Sequence, residues 1–163
     1  MLYVDDVVLA TNSVEYKSSL FTTTNEKYGY KDGGTLHHCL GIHVEQNDEG
    51  VYIHRSKYCN EVLERFELSE AHGSATPMET NARYSKFTEE SHGDGSKDTF
   101  DYRQAIESLM YLAVCTRPDI SFAVGTLSRF MSNPTRNHCG AVSRVMKYLA
   151  STRNMGIMCA QVK

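Results

Sequence analysis

Apolar and polar positions divide the chain into short alternating stretches at its start and longer helical stretches towards its end. Residues 1 to 11 are β-branched and aromatic around an acidic pair, a pattern that predicts strand, turn and strand. Ser13 is placed to cap a helix in which Tyr16, Leu20, Phe21 and Tyr28 recur at helical spacing, and Gly29, Gly33 and Gly34 end it in a loop. Leu36 to Gln46 reads as a strand, Asn47 to Gly50 as a turn, and Val51 to Arg55 as the returning strand. Ser56 is expected to cap a second helix with a stripe of Tyr58, Val62, Leu63, Phe66 and Leu68.

From Gly73 to Thr99 apolar residues thin out, and Ser91 to Ser96 has the composition of a flexible linker. Three helices are expected beyond it. Asp101 to Cys115 carries Ile106, Leu109, Met110, Ala113 and Val114 on one side. A helix opening near Pro118 runs to about Met131, with Ile120, Ala123, Val124, Leu127, Phe130 and Met131 inward. A third opens near Pro134, with Val142, Val145, Met146 and Leu149 as its stripe and Arg136, Arg144 and Lys147 on a broad basic face. Gly156 stops it, and Ile157 to Val162 is expected to be a strand.

Composition refines this outline. The 163 residues are 40% hydrophobic and 23% charged, which is globular rather than disordered or fibrous. No stretch approaches the roughly 20 apolar residues of a bilayer span, and Asp5 and Asp6 interrupt the first apolar run as no signal peptide would. An intracellular protein, cytoplasmic or nuclear and neither secreted nor membrane-bound, is the expectation. Five cysteines without CxxC spacing argue against a disulfide framework. The net charge of −3 hides an asymmetry: residues 1 to 99 hold 9 Lys+Arg against 17 Asp+Glu, and residues 100 to 163 hold 8 against 3. The balances of −8 and +5 suit a polyanionic partner for the later part.

Tyr3-Val4-Asp5-Asp6 carries the most chemistry. Adjacent carboxylates repel and are costly to desolvate, and a regular strand would send them to opposite faces. A tight turn brings them together, and a hard divalent cation makes the pair favourable. An Asp-Asp turn without metal is the plain structural alternative. His37-His38-Cys39 with His43 is weak as a zinc site, because His38 falls on the opposite strand face and His43 is distant.

The chain resembles the copia-type retrotransposon reverse transcriptase along nearly its whole length. Tyr3-Val4-Asp5-Asp6 is similar to motif C of that family. Further matches are Lys31-Asp32 in the loop after the first helix, Leu40-Gly41-Ile42, Lys57-Tyr58 with Leu63 and Phe66, and Thr76-Pro77-Met78. Tyr102 to Ile106, Ser108 to Leu112, Thr116 to Ile120, Leu127 to Phe130 and the helix from His138 to Leu149 continue the series. Departures are Gly33 for Leu, Arg55 for Gln, Glu107 for Gly where helices would pack closely, and Cys139 for Trp.

The resemblance implies an α/β chain: a partial reverse-transcriptase palm of antiparallel strands plus helices, followed by an α-helical thumb/connection unit. The implied divisions are 1–72 for the partial palm and first thumb helix and 73–99 for a linker. Residues 100–155 would form the thumb/connection, and 156–163 the lead-in to an RNase H domain. Asp5 and Asp6 are implied catalytic ligands of Mg²⁺ (or Mn²⁺). Tyr3 and Val4 would lie near primer terminus and template, and Leu40, Gly41 and Ile42 would hold the primer. Arg136, Arg144 and Lys147 would track the duplex backbone. Lys31 answers either to the family's motif-D lysine or to an ordinary loop lysine. RNA template, DNA primer and the remainder of the Pol polyprotein are the implied partners. With no earlier palm aspartate or fingers in these residues, the chain by itself is expected to be inactive as a polymerase. A non-catalytic nucleic-acid-binding module and a non-functional transposon relic are the alternatives.

Overall fold

The structure is a computed structural model, and it describes residues 2–3, 6–85 and 100–160, with backbone alone for Leu2, Tyr3 and Asp6. The chain divides into two compact units, Met1–Cys39 and Leu40–Lys163.

In the first unit β1 (Leu2–Tyr3) and β2 (Asp6–Val7) pair antiparallel, Leu2 opposite Val7 and Tyr3 opposite Asp6. Helix α1 (Val14–Tyr28) starts as the sequence predicts. Extended Ser13 accepts the Tyr16 amide on its hydroxyl at 3.1 Å, and left-handed Gly29 closes the other end on the Asn25 carbonyl. Lys17 reaches Asp32 at 3.4 Å, an exposed pair of small energetic consequence. No residue of α1 is buried: Tyr16 and Tyr28 face solvent, and Leu20 and Phe21 are only half-covered. The unit ends in a two-residue strand, β3 (His38–Cys39).

The strand expected over Leu36 to Gln46 is therefore interrupted. Leu40 (φ 50°) and Gly41 (φ 75°) are both left-handed and form a turn, after which β4 runs Ile42–Asn47. Strand β5 (Gly50–His54) returns antiparallel with Asn47 opposite Gly50, and the Asn47 side chain accepts the Glu49 and Gly50 amides at 3.0 Å. On the other side of β5 lies β6 (Ile157–Ala160), also antiparallel, with Ile53 opposite Ile157 and Gly50 opposite Ala160.

Helix α2 (Ser56–Arg65) departs from expectation at its start: Arg55 occupies the cap position, no side chain caps it, and Ser56 is its first helical residue. The His54 ring nitrogen Nδ1 takes up the Ser56 hydroxyl at 2.8 Å, so that oxygen is committed to the preceding strand. Helix α3 (Tyr102–Cys115) is capped by Asp101, whose carboxylate accepts the Gln104 amide at 2.9 Å. Its buried arc runs through Ala105, Ile106, Ser108, Leu109, Leu112 and Ala113. Met110 and Val114, expected inward, lie beyond that arc at 44% and 84% exposure. Glu107 likewise faces solvent, so its charge meets no closely packed helix.

One long helix from Pro118 is replaced by a 3₁₀ turn, Pro118–Ile120, followed by α4 (Ser121–Ser128). Proline's missing amide fits the tight opening turn, and the helix stops before Phe130, which is buried in the turn that follows. Helix α5 (Arg136–Ser151) presents Val142, Val145, Met146 and Leu149 inward as predicted. Helices α2 to α5 share one apolar core, joined by Cys59, Val62 and Leu63 from α2. Residues 73–85 of the stretch read as linker lie along α5, with Met78 and Tyr84 packed on the core, and residues 86–99 lie outside the described residues.

A buried cation ties this core together. Arg117, 2% exposed, donates to Asp119 through Nε (3.0 Å) and Nη2 (2.8 Å) and to the Thr152 carbonyl and hydroxyl at 2.9 and 2.6 Å. Tyr148 donates its hydroxyl to the same Asp119 at 2.9 Å. Burial alone would raise the Asp119 carboxyl, but the Arg117 bonds and charge, helped by Tyr148, outweigh it and hold the group below its ordinary value. A depressed carboxylate stabilises the fold above its unfolded value, near 4, and that contribution is lost as pH falls through the folded value. We therefore expect unfolding free energy to decline below about pH 4. Asp119→Asn should remove that part of the decline and cost about 2 kcal/mol at neutral pH, because Arg117 stays buried without its counter-charge. Urea unfolding across pH tests both; a neutral-pH loss under about 0.5 kcal/mol would sink the role given to the pair.

Candidate nucleic-acid interface

The expected site residues that the structure describes fall in three locations. The first is the β1–β2 hairpin. Its register sets Tyr3 opposite Asp6 and Leu2 opposite Val7. Val4 and Asp5 lie outside the described residues, and Tyr3 and Asp6 are located by backbone alone.

The second is the turn at Leu40 and Gly41. Two consecutive left-handed residues are what a type I′ turn demands, and the leucine accepts a conformation that side chains disfavour. The turn is held from beneath by Arg55, 4% exposed, whose guanidinium donates to the Leu40 carbonyl. A Cβ on Gly41 would approach Arg55 Nη2 to 3.3 Å, so the glycine is needed for its backbone angle and for the closeness of the guanidinium. On its other side Arg55 lies over the Tyr111 ring at 4.0 Å, and Tyr111 meets Tyr58 edge-to-face at 5.0 Å. The turn is thereby connected to α2 and α3. Ile42, the third expected residue, is half-buried at the start of β4.

The third location is an open groove of about 800 Å³ along α5. Arg136, Arg144 and Lys147 all line it, as does Gly140 between them. The opposite wall comes from the stretch after His72 and supplies Glu79, Arg83 and Tyr84. Four cations face one anion. Arg144 is partly engaged already: Nη1 contacts Glu79 Oε1 and Nη2 donates to the Thr76 hydroxyl, both at 3.2 Å. At the N-terminal end of α5, His138 is buried and stacks on Phe130 at 4.1 Å, while its Nδ1 accepts the Thr135 amide at 2.9 Å. Burial holds its pKa down, so it serves as an uncharged cap.

The histidines around β3, β4 and β5 differ in exposure and contacts. His37 and His38 are exposed, whereas His43 stacks on His54 at 5.2 Å and His54 Nε2 lies 3.2 Å from Glu45. Among the described residues no three or more His, Cys, Asp or Glu are grouped to hold a metal ion. Among them, too, no helix is long and apolar enough to cross a membrane.

A family profile described as "Reverse transcriptase (RNA-dependent DNA polymerase)" matches residues 1–80, the stretch holding the hairpin, the Leu40-Gly41 turn and α2. Residues beyond that match continue in retrotransposon relatives. The chain is 34% identical over 157 residues to the Retrovirus-related Pol polyprotein from transposon RE1 of Arabidopsis thaliana, covering 96% of this chain and 10% of that protein. It is 35% identical over 158 residues to the corresponding protein from transposon TNT 1-94 of Nicotiana tabacum, covering 93% and 12%. The chain belongs to the copia-type retrotransposon reverse transcriptase family. It spans about a tenth of the length of these Pol polyproteins. No solved structure matches it significantly.

Within this reverse transcriptase chain, the residues that sequence reasoning missed all depend on neighbours distant in sequence. Arg55 reads as a strand terminus, and nothing local shows that it is buried below a turn fifteen residues earlier. Glu79 and Arg83 sat in a stretch of linker composition, and only the docking of that stretch on α5 brings them to the groove. We expect Arg55→Ala to destabilise the protein by about 1–3 kcal/mol, losing a charged hydrogen bond and the ring contact. Arg55→Gln, which still reaches with an amide donor, should lose less. Urea unfolding of both variants decides the matter: equal stability of Arg55→Ala and the parent would remove Arg55 as the anchor of the turn.

Proposed function

We propose that this chain is part of an RNA-directed DNA polymerase, with the β1–β2 hairpin in the palm and helices α2 to α5 in the thumb and connection. The observation that supports the reading is the antiparallel pairing of β1 with β2, Tyr3 opposite Asp6, in a chain whose residues 1–80 match the reverse-transcriptase profile. Two adjacent carboxylates suit a hard divalent cation, and Mg²⁺ commonly takes one or two protein carboxylates and completes its shell with water and substrate phosphate. When bound, two such ions would activate the attacking oxygen and stabilise the leaving one.

The protein's own part is positional. Asp5 and Asp6 would supply the ligands, and Tyr3 and Val4 would border the primer terminus and template. Leu40, Gly41 and Ile42 would set the primer strand, with the Arg55 guanidinium fixing the turn. Arg136, Arg144 and Lys147 would neutralise backbone phosphates, which positions a duplex without reading its sequence. Template RNA, primer DNA and the remainder of the Pol polyprotein are the partners in this reading.

A second reading, a nucleic-acid-binding module without catalysis, draws on the basic groove lying wholly within the Leu40–Lys163 unit. Two assays separate the two. Primer extension with Mg²⁺ or Mn²⁺ should give no product from the 163-residue polypeptide, because two carboxylates form a sparse two-ion site; template-dependent synthesis would overturn that expectation. Binding to an RNA–DNA duplex should weaken strongly with salt. Reversing Arg136, Arg144 and Lys147 to Glu should abolish it. Unchanged affinity in that triple variant would defeat the duplex-tracking role in both readings.

A further inference from the structure

The groove along α5 is closed on its second side by a segment fastened at both ends. Near its start Gly73 lies so close to Ser151 that a Cβ there would meet the serine Cβ at 2.6 Å. The Ser74 amide donates to the Lys147 carbonyl at 3.2 Å, and the Ser151 hydroxyl donates to the Ser74 carbonyl at 3.1 Å. At its far end the Tyr84 ring lies 5.9 Å from His138. Between these fastenings the segment turns Glu79 and Arg83 towards the groove.

Glu79 is its one carboxylate, and it is two-thirds exposed while touching Arg144. An ion pair this open holds weakly against a competing anion. The Arg144 guanidinium also has a buried Nε without a hydrogen-bond partner, so Glu79 and Thr76 leave its donors incompletely used. The floor is empty at Gly140, where a Cβ would have nothing within 4 Å. An oxyanion with several acceptor oxygens suits this arrangement better than a single carboxylate does.

We propose that the groove is a two-walled phosphate cleft in which Glu79 stands in for a backbone phosphate and competes with it for Arg144, while Arg83 supplies a contact from the second wall. This rests on the nucleic-acid-binding reading of the basic residues and adds to it a built-in competitor that limits affinity. A nucleic-acid strand entering the cleft displaces the Glu79 carboxylate to solvent, and Arg144 exchanges one oxyanion for another.

The test is fluorescence anisotropy of the 163-residue protein with an RNA–DNA hybrid duplex over a salt series, with melting temperature measured for every variant. Glu79→Gln should bind about three- to fivefold more tightly with a nearly unchanged salt slope, because Arg144 meets the phosphate in both proteins and only the competing carboxylate is lost. Arg83→Glu should weaken binding and flatten the slope by about one. Gly140→Trp fills the floor without adding charge and should weaken binding roughly tenfold while leaving the melting temperature equal or higher, since glycine is a poor helix former. Glu79→Gln with unchanged affinity, alongside loss of binding on reversal of Arg136, Arg144 and Lys147, overturns the competitor and leaves the nucleic-acid reading standing. Full binding by Gly140→Trp places the duplex outside the cleft and overturns the proposal as well. No effect of the triple reversal overturns the reading on which the proposal depends.

Discussion

The apolar face of α5 is the constraint on which the larger unit depends. Val142, Val145, Met146 and Leu149 are fully buried in the shared core, and α5 packs on all three of α2, α3 and α4. Because that face is committed inward, the remaining sides of the helix are left for charge. Arg136, Arg144 and Lys147 can therefore stand on a rigid support instead of on a loop. The Arg117 network reinforces the same helix from its C-terminal end, through Tyr148 and Thr152. A basic surface built in this way keeps its spacing.

Local signals made much of this legible in the sequence. The cap at Ser13 and the stop at Gly29 appear where the residue types place them, because each works within three or four residues of itself. The stripe of α5 is equally plain, since its apolar positions repeat regularly. The family resemblance was legible too, and it is borne out by the Pol polyprotein relatives.

What the sequence did not disclose is long-range. Met110 and Val114 share spacing with genuine core residues, and only the placement of neighbouring helices decides which flank of α3 is covered. Leu40 and Gly41 looked like strand interior because leucine seldom adopts a left-handed angle; the Arg55 guanidinium beneath them is part of what makes that turn worthwhile. The stretch from Gly73 to Tyr84 reads as linker by composition, yet a few hydrogen bonds and two half-buried side chains suffice to lay it along α5. Low apolar content predicts little core, and it does not predict the absence of docking.

The antiparallel partnership of β5 and β6 has a consequence for how the molecule reaches its final form. Ile53 and Ile157 are neighbours in the sheet but stand 104 positions apart along the chain. Bringing such distant segments together in an otherwise unfolded chain costs on the order of 4 kcal/mol in loop-closure entropy, and a short ladder recovers little of that alone. Docking of the helices between them shortens the effective loop first. On a ribosome, β5 emerges long before β6 and must wait through the synthesis of four helices for its second neighbour. The β4–β5 hairpin is local and needs no such help, so the addition of β6 is the step of sheet assembly that depends on the bundle.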